Sequence, residues 1–231
     1  MSSGGVAIIG ATGRLGSAIH RGCADAGVAV LATADSTGWH GTESATPEVV
    51  IDASRPAALP STIDFCTRTG AALLYCVSNQ TPAGLRELRA LSDDVPVAVA
   101  TNLSPLQWVQ TRVAELSAQL AAALPLAVEV TVIDRHPVSK TDAPSATAQL
   151  LASAMSFPAT VVSERFGPRV CDHRVVFTAG GETFDLVHTV RDLDLVAAAA
   201  VRLAGALADS EPGWFTTDEL YSRLLARTEE H

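Results

Sequence analysis

Positive charge is scarce in this chain, and lysine is almost missing from it. The 231 residues carry 16 Lys and Arg against 25 Asp and Glu, for a formal net charge of −9, and Lys140 is the sole lysine. A nucleic-acid-binding surface would show a basic stripe, so we expect no nucleic-acid partner. No run approaches the roughly 20 apolar residues of a membrane span, so we expect no membrane partner and a soluble, cytoplasmic protein.

Cysteine and aromatic residues are also few. The four cysteines form no Cys-x-x-Cys pair and no cluster spaced like metal ligands, so we expect them to pack in the core and expect no metal. Hydrophobic residues make up 48% of the chain. That content is enough for a sizeable buried interior and excludes a disordered chain.

Short apolar strands alternate with helices in the first hundred residues. The predicted strands are 6–9, 28–33, 48–52, 71–77 and 95–101, and the predicted helices are 14–25, 56–68 and 82–92. Nearly continuous apolar strands between helices are typical of a parallel sheet covered on both faces. The sequence therefore predicts an α/β fold that begins with a parallel sheet of the Rossmann type.

After Asn102 the alternation gives way to an α+β pattern. The predicted elements are helices 105–124, 145–155 and 193–208, strands 128–134, 173–178 and 183–190, a turn at 211–213 and a tail helix at 218–225. Gly180 and Gly181 suit a tight hairpin turn between the last two strands. We therefore predict a dinucleotide-binding domain of residues 1–104 plus 195–231, and a substrate and oligomerisation domain of residues 105–194.

A glycine-rich loop directly follows the first predicted strand and opens the first predicted helix. It consists of Gly10, Ala11, Thr12, Gly13, Arg14, Leu15 and Gly16. Gly10 permits a tight turn, Gly13 lets a pyrophosphate approach the backbone, and Gly16 lets the helix pack close to the strand. The N–H groups at the helix start favour phosphate, and Arg14 can add a charged contact. This loop predicts a dinucleotide cofactor; the alternative is a purely structural turn.

Asp35 lies near the end of the second predicted strand, where an acidic residue binds the ribose hydroxyls of NADH and repels the 2′-phosphate of NADPH. No arginine neighbours it in sequence. The cofactor is therefore NADH or NADPH, with NADH favoured. A plain turn role for Asp35 is the alternative.

Lys140 lies in the least ordinary stretch of the chain, between His136 and a helix start at Ser145-Ala146-Thr147. Backbone N–H groups at a helix start, together with Ser and Thr hydroxyls, form a carboxylate site, and a lysine beside them strengthens it. His136 can lend a proton or a positive charge. This segment predicts hydride transfer to a small carboxylate-bearing substrate. We expect His173 and His188, on the hairpin strands, to pack or face solvent.

The segment Asp134–Ala148 resembles the dihydrodipicolinate reductase family, whose signature is Glu-x-His-His-x-x-Lys-x-Asp-Ala-Pro-Ser-Gly-Thr-Ala. The matching positions are Asp134, His136, Lys140, Asp142, Ala143, Pro144, Ser145, Thr147 and Ala148. The resemblance implies a Rossmann cofactor domain and a mixed-sheet substrate domain, commonly assembled as a homotetramer through that sheet. We therefore expect a homo-oligomer, a tetramer or a dimer.

The resemblance also implies residue roles in NAD(P)H reduction of a cyclic, imine-like dicarboxylate. Lys140 supplies the proton that follows hydride delivery, His136 stabilises charge, and Ser145, Ala146 and Thr147 hold a carboxylate together with Lys140. The positions assigned to the cofactor, besides the glycine loop and Asp35, are Ala53, Ser54, Cys76, Ser78, Ala100 and Asn102.

Several positions depart from the family pattern. Its second His is Pro137, its Ser-Gly-Thr has Ala146 in the middle, and its Gly-Thr-Thr-Gly beside the nicotinamide is replaced by residues 76–79, Cys-Val-Ser-Asn. Missing polar contacts change discrimination between substrates, so we expect reduction of another amino-acid-derived cyclic imine or conjugated carboxylate in a specialised pathway. The alternatives are authentic 4-hydroxy-tetrahydrodipicolinate reduction, and a non-reducing protein on the same fold that catalyses elimination or cyclisation or binds a ligand.

Overall fold

The structure, a computed structural model, describes residues 4–41, 46–124, 127–155, 157–167 and 171–229. The chain divides into a first unit, Met1–Leu103 with Leu193–His231, and a second unit, Ser104–Asp192. Among the described helices, none combines the length and the apolar character needed to cross a membrane.

The first unit begins with alternating strands and helices. Their bounds are β1 Val6–Ile9, α1 Arg14–Asp25, β2 Val30–Asp35, β3 Gly38–Gly41, β4 Val49–Asp52, a 3-10 turn Pro56–Ala58, α2 Leu59–Thr69, β5 Ala72–Tyr75, α3 Pro82–Leu91 and β6 Pro96–Val99. Every residue of β1, β4 and β5 is buried. Strands covered on both faces need such unbroken apolar runs, which is why these segments form the centre of the sheet.

The second unit is built around one sheet and two helices. Its elements are α4 Pro105–Ala123, β7 Val128–His136, α5 Ala146–Ala154, β8 Ala159–Arg165, β9 Asp172–Ala179 and β10 Glu182–Thr189. The strand order is β10-β9-β7-β8, with β7 and β8 parallel and the other pairs antiparallel. Alternate residues of β7 and β9 are buried. They form a core with Ala114, Ala118 and Leu151 from the helices.

The chain then returns to the first unit through α6 Asp194–Ala208, β11 Gly213–Phe215 and α7 Thr217–Glu229. The first sheet has the order β11-β6-β5-β4-β1-β2-β3, and all its strands are parallel except β3. The predicted fold class, a Rossmann-type parallel sheet followed by an α+β domain with a mixed sheet, is confirmed.

Three strands were not predicted from the sequence: β3, β8 and β11. β3 is Gly-Trp-His-Gly, an exposed edge strand that lacks the apolar run of a buried one. β11 has three residues, and its start at Gly213 was predicted as part of a turn; it forms because Gly213, Trp214 and Phe215 pair with β6. The predicted strand at 128–134 also continues to His136, because β8 pairs with it along that length.

Candidate functional site

The loop between β1 and α1 brings backbone segments too close together for side chains. Gly10 has φ +80°, and a Cβ there would lie 2.8 Å from the carbonyl oxygen of Ala53. A Cβ on Gly16 would lie 2.1 Å from the carbonyl oxygen of Gly10. α1 begins at Arg14 directly after Gly13, which has no side chain to cap the helix. The first N–H groups of α1 are therefore suited to a bound anion.

A cavity of about 340 Å³ lies beside this loop in the first unit. Its lining residues are Ile9, Gly10, Thr12, Gly13, Asp35, Ser36, Ala53, Ser54, Arg55 and Ala58. The structure thus brings six of the predicted cofactor residues, from three separate segments, around one space. Arg14, Leu15 and Gly16 follow in the first turn of α1. The glycine-rich loop, the start of α1 without a side-chain cap and the carboxylate of Asp35 fit a dinucleotide.

Asp35 ends β2, and its Oδ1 accepts three hydrogen bonds. The donors are the Thr37 N–H at 2.8 Å, the Thr37 hydroxyl at 2.6 Å and His40 Nε2 at 3.2 Å. The hydrogen bond from the Thr37 side chain, followed by those from the Thr37 backbone and His40, lowers the pKa of Asp35 to about 2. Asp35 therefore presents a fixed negative charge to the cavity at neutral pH.

Asp52, fully buried at the end of β4, fixes the neighbouring residues Ala53 and Ser54, which line this cavity. It accepts hydrogen bonds from the Ser54 N–H at 2.9 Å, the Ser54 hydroxyl at 2.5 Å and the Thr62 hydroxyl at 2.6 Å. Burial raises the pKa of Asp52, although the hydrogen bonds from Ser54 and Thr62 act to lower it. These hydrogen bonds fix the segment of Ala53 and Ser54, and the Ser54 hydroxyl is directed at Asp52.

The other predicted cofactor positions follow the carboxyl ends of β5 and β6. Cys76 and Ala100 are buried, Asn102 is half-buried and Ser78 is exposed; these four described residues do not line the cavity. Burial raises the pKa of the Cys76 thiol, which keeps it protonated. Asn79 has φ +61°, a left-handed conformation that favours glycine and tolerates Asn. The backbone of this chain therefore turns at Asn79 in a conformation that glycine adopts readily.

Asp134 lies at the centre of a polar cluster in the second unit. Its buried carboxylate accepts hydrogen bonds from the Ser163 hydroxyl at 2.5 Å, the Ser145 N–H at 3.2 Å and Arg165 Nη2 at 3.2 Å. Burial alone would raise its pKa, but these partners together lower it. Arg165 Nη2 also donates to the Asp142 carbonyl. The cluster anchors the loop that leads from β7 to α5.

Lys140 lies half-buried on that loop. Its Nζ is 2.9 Å from Asp142 Oδ1, and its N–H donates to the Pro137 carbonyl at 3.0 Å, closing a turn. Burial raises the pKa of Asp142, but the hydrogen bond and charge of Lys140 lower it overall. The ion pair holds the ammonium group at the surface of the second unit, where it is one-third exposed.

Three buried histidines lie on neighbouring strands beside this loop. The rings of His136 and His173 are 5.1 Å apart, and those of His173 and His188 are 6.4 Å apart. Burial, followed by the charge of Lys140, lowers the pKa of His136. Burial, followed by the neighbouring histidines, lowers the pKa of His173 to about 4. All three are buried, so solvent exposure is excluded for His173 and His188.

The start of α5 carries the predicted carboxylate site. Ser145 is the N-cap, and its hydroxyl accepts a hydrogen bond from the Ala148 N–H at 3.2 Å. Ala146 is exposed and Thr147 is half-buried. Within the described part of the chain, His136 Nε2 is buried without a hydrogen-bond partner, 3.7 Å from Asp134 Oδ2. Such an atom is typical of a site that takes up a ligand or water.

Sequence reasoning missed Arg55, which lines the cavity, and Arg165, which supports the Lys140 loop. Arg55 directly follows Ser54, so its proximity was available as a signal. Arg165 belongs to β8, whose run of Thr and Val residues was not assigned as a strand. Among the described residues, no group of three or more His, Cys, Asp or Glu side chains could hold a metal ion.

The fold and the glycine-rich loop are those of a Rossmann-type oxidoreductase that uses NADH or NADPH. Residues 5–103 match the family model described as dihydrodipicolinate reductase, N-terminus, and residues 111–220 match the one described as its C-terminus. The chain belongs to the dihydrodipicolinate reductase family.

Relatives and solved structures agree with this membership. A 4-hydroxy-tetrahydrodipicolinate reductase of Xanthomonas campestris pv. campestris is 30% identical over 176 residues, covering 75% of this chain and 72% of the relative. One from Exiguobacterium sibiricum is 26% identical, covering 93% of this chain and 94% of the relative. The dipicolinate-bound dihydrodipicolinate reductase from Paenisporosarcina sp. TG-14 has the same fold, with a TM-score of 0.72 at 16% identity over 92% of this chain and 97% of that one.

Proposed function

We propose that the chain reduces an amino-acid-derived cyclic imine, or a conjugated C=C or C=N bond, in a small carboxylate. The observation that carries this proposal is the position of Lys140. The sole lysine lies, paired with Asp142, on the loop that enters α5, with the buried His136 at the other end of that loop. A cation beside a helix start is an anion site, and an ammonium group is also a proton donor.

Residues of the first unit are assigned to cofactor binding. Gly10, Gly13 and Gly16 leave the backbone open to a pyrophosphate at the start of α1, and Asp35 accepts ribose hydroxyls. Because Asp35 stays charged at neutral pH and would repel a 2′-phosphate, NADH is the favoured cofactor. When bound, the reduced nicotinamide supplies the hydride.

Residues of the second unit are assigned to the substrate. A substrate carboxylate binds the N–H groups at the start of α5, beside Ser145, Ala146 and Thr147. Lys140 adds charge to this carboxylate site and donates a proton to the atom that becomes negative during reduction. His136 is neutral at neutral pH, because burial lowers its pKa, and it serves as a hydrogen-bonding partner for the substrate.

The names of the relatives and two residues of this chain bear on which compound is reduced. The relatives carry the name 4-hydroxy-tetrahydrodipicolinate reductase, which makes that compound the first substrate to test. Pro137 and Ala146 favour a different one, because Pro cannot donate a hydrogen bond and the Ala146 methyl occupies the exposed helix start. A substrate with fewer polar groups than a cyclic dicarboxylate fits these two positions.

The experiment is to supply 4-hydroxy-tetrahydrodipicolinate with NADH or NADPH and follow the absorbance of the reduced nicotinamide. The wild type should turn it over slowly, and Pro137→His combined with Ala146→Gly should raise kcat/KM. Fast turnover by the wild type would instead identify 4-hydroxy-tetrahydrodipicolinate as its substrate. If no cyclic imine carboxylate consumes either cofactor although the cofactor binds, the reductase assignment is wrong and elimination or cyclisation becomes the candidate.

A further inference from the structure

His40 lies on an edge strand, beside the carboxylate that is assigned to the ribose of the cofactor. Strand β3 pairs antiparallel with β2, which places Gly38 opposite Asp35 and His40 opposite Thr33. Residues two positions apart on a strand point to the same face, so the side chains of His40 and Asp35 lie on one face of this pair of strands. Their contact is direct, because His40 Nε2 is 3.2 Å from Asp35 Oδ1.

The hydrogen bonds around Asp35 show which nitrogen of His40 carries a hydrogen. The Thr37 hydroxyl donates to Asp35 Oδ1 at 2.6 Å, so its oxygen accepts from His40 Nε2 at 3.0 Å. The carboxylate of Asp35 likewise only accepts. His40 Nε2 therefore carries a hydrogen, and a second proton binds Nδ1. The His40 side chain is 53% exposed, so solvent can deliver this second proton, which adds a positive charge beside Asp35 and breaks neither contact.

The other charged groups around His40 keep their charge near neutral pH. The pKa of Asp35 is lowered to about 2, first by the hydrogen bond from the Thr37 side chain, so Asp35 stays ionised. Arg55, which lines the same cavity, stays protonated. The opposite face of β3 carries Trp39, which stacks on an aromatic ring of α2 that also lies under a permanently charged arginine of that helix. Of these groups, His40 is the one whose side chain ordinarily changes charge near neutral pH.

We propose that His40 makes the choice between NADH and NADPH depend on pH. With His40 neutral, the charge of Asp35 repels the 2′-phosphate of NADPH, and NADH is favoured. With His40 protonated, its charge opposes that of Asp35 at the same place, and the affinity for NADPH rises relative to that for NADH. This pH dependence rests on the proposed role of Asp35 in binding the ribose hydroxyls.

The contacts of Asp35 leave it free for this role. All the hydrogen bonds that described residues donate to its carboxylate fall on Oδ1, so Oδ2 is available to a ribose. The pair of His40 and Asp35 lies at an edge strand, all of whose residues are exposed. Exposed ion pairs contribute little to stability, so substitutions of His40 should leave the first unit folded and should act on cofactor choice.

The test compares the affinities for NADP⁺ and NAD⁺, which carry the same adenosine halves as the reduced cofactors. Calorimetry on the full chain from about pH 8 to about pH 5 covers the range in which histidines titrate. For the wild type, the affinity for NADP⁺ relative to NAD⁺ should rise by about fivefold as the pH falls. His20→Gln, the same kind of change at an exposed histidine of α1, should keep this rise.

Two variants of His40 separate its charge from other effects. His40→Gln keeps a donor for Asp35 and cannot titrate, so it should match the wild type at the high end of the range and show a smaller rise below it. Some rise remains, because the 2′-phosphate itself gains a proton at about pH 6. His40→Arg is charged throughout, so at high pH its relative affinity for NADP⁺ should already exceed that of the wild type.

The outcomes distinguish this role of His40 from the proposed function. An equal rise in the wild type and in His40→Gln would overturn the role of His40, as would a His40→Arg variant that matches the wild type at high pH. In both cases the assignment of Asp35 and the glycine loop to the cofactor would stand. If neither nucleotide binds at any pH, the proposed cofactor site is wrong and the role of His40 fails with it.

Discussion

The imidazole of His173 and the hydroxyl of Ser145 lie 3.4 Å apart inside the second unit. His173 also pairs with Asp134 across β9 and β7, and Asp134 accepts the Ser145 N–H. Ser145 caps α5. The helix start assigned to the substrate carboxylate is therefore supported by a buried histidine and a buried aspartate on adjacent strands.

The first prediction concerns stability and pH. The pKa of His173 falls from 6.5 to about 4 on burial, so between these values the unfolded chain binds a proton that the folded chain does not. The free energy of unfolding should therefore fall as the pH is lowered from 6.5 towards 4, by up to about 3 kcal/mol from this residue. Urea unfolding, followed by far-UV circular dichroism across this range, measures the loss.

The control is His173→Gln, which keeps a hydrogen-bond donor for Ser145 and cannot titrate. Its stability should depend less steeply on pH than that of the wild type. Some dependence will remain, because burial also lowers the pKa values of His136 and His188. Identical slopes for the two proteins would show that His173 does not carry the effect.

The second prediction concerns the glycine loop. Gly16→Ala should abolish cofactor binding or destabilise the first unit, because its Cβ would lie 2.1 Å from the Gly10 carbonyl oxygen. Gly181→Ala is the matched control, since nothing lies within 4 Å of its Cβ. Fluorescence titration with NADH distinguishes the variants. Wild-type affinity in a stable Gly16→Ala would contradict the close approach.

The third prediction concerns the choice of cofactor. Asp35→Asn removes the charge that would repel a 2′-phosphate, so the ratio of NADPH to NADH affinity should rise by roughly tenfold. Asp25→Asn, at an exposed acid of α1, removes the same charge elsewhere and should leave the ratio unchanged. Dissociation constants for both cofactors are needed. A ratio that does not move would assign the preference to another residue.

Much of the fold could be predicted because the apolar runs are long and regular. The spans of β1 and α1 were predicted to the residue, since a buried strand and a glycine loop have strong local signals. β3 and β11 were missed because they are short edge strands. They are formed by pairing with β2 and β6, which local sequence does not encode.

The candidate site was predictable where it lies within one segment. Lys140, Ser145 and Thr147 are close in sequence, so their motif was visible. The support that Arg165 and His173 give to this segment could not be predicted, because β8 and β9 approach the Lys140 loop only through long-range pairing. Parallel pairing also brings the ends of β2, β1 and β4 together, so that Arg55 and Asp35 line one cavity. Of these two, Arg55 could have been predicted from its position directly after Ser54.

The fourth prediction concerns the cap of α5. Ser145→Ala removes the hydroxyl that accepts the Ala148 N–H, and should lower the free energy of unfolding by about 1 kcal/mol. If α5 binds the substrate carboxylate, KM should rise more than kcat falls, because the substitution affects substrate binding more than the chemical step. Ser153→Ala, at an exposed serine of the same helix, is the control. Equal effects of both variants on KM would argue against a carboxylate at the helix start.

The central claim, that Lys140 donates the proton in a reduction, is tested most directly by the steady-state kcat of Lys140→Arg on a substrate that the wild type turns over. Arg keeps the charge for anion binding but rarely releases a proton. The account predicts a loss of about 10²–10⁴ in kcat, with KM and cofactor affinity near those of the wild type. A kcat equal to that of the wild type would contradict it.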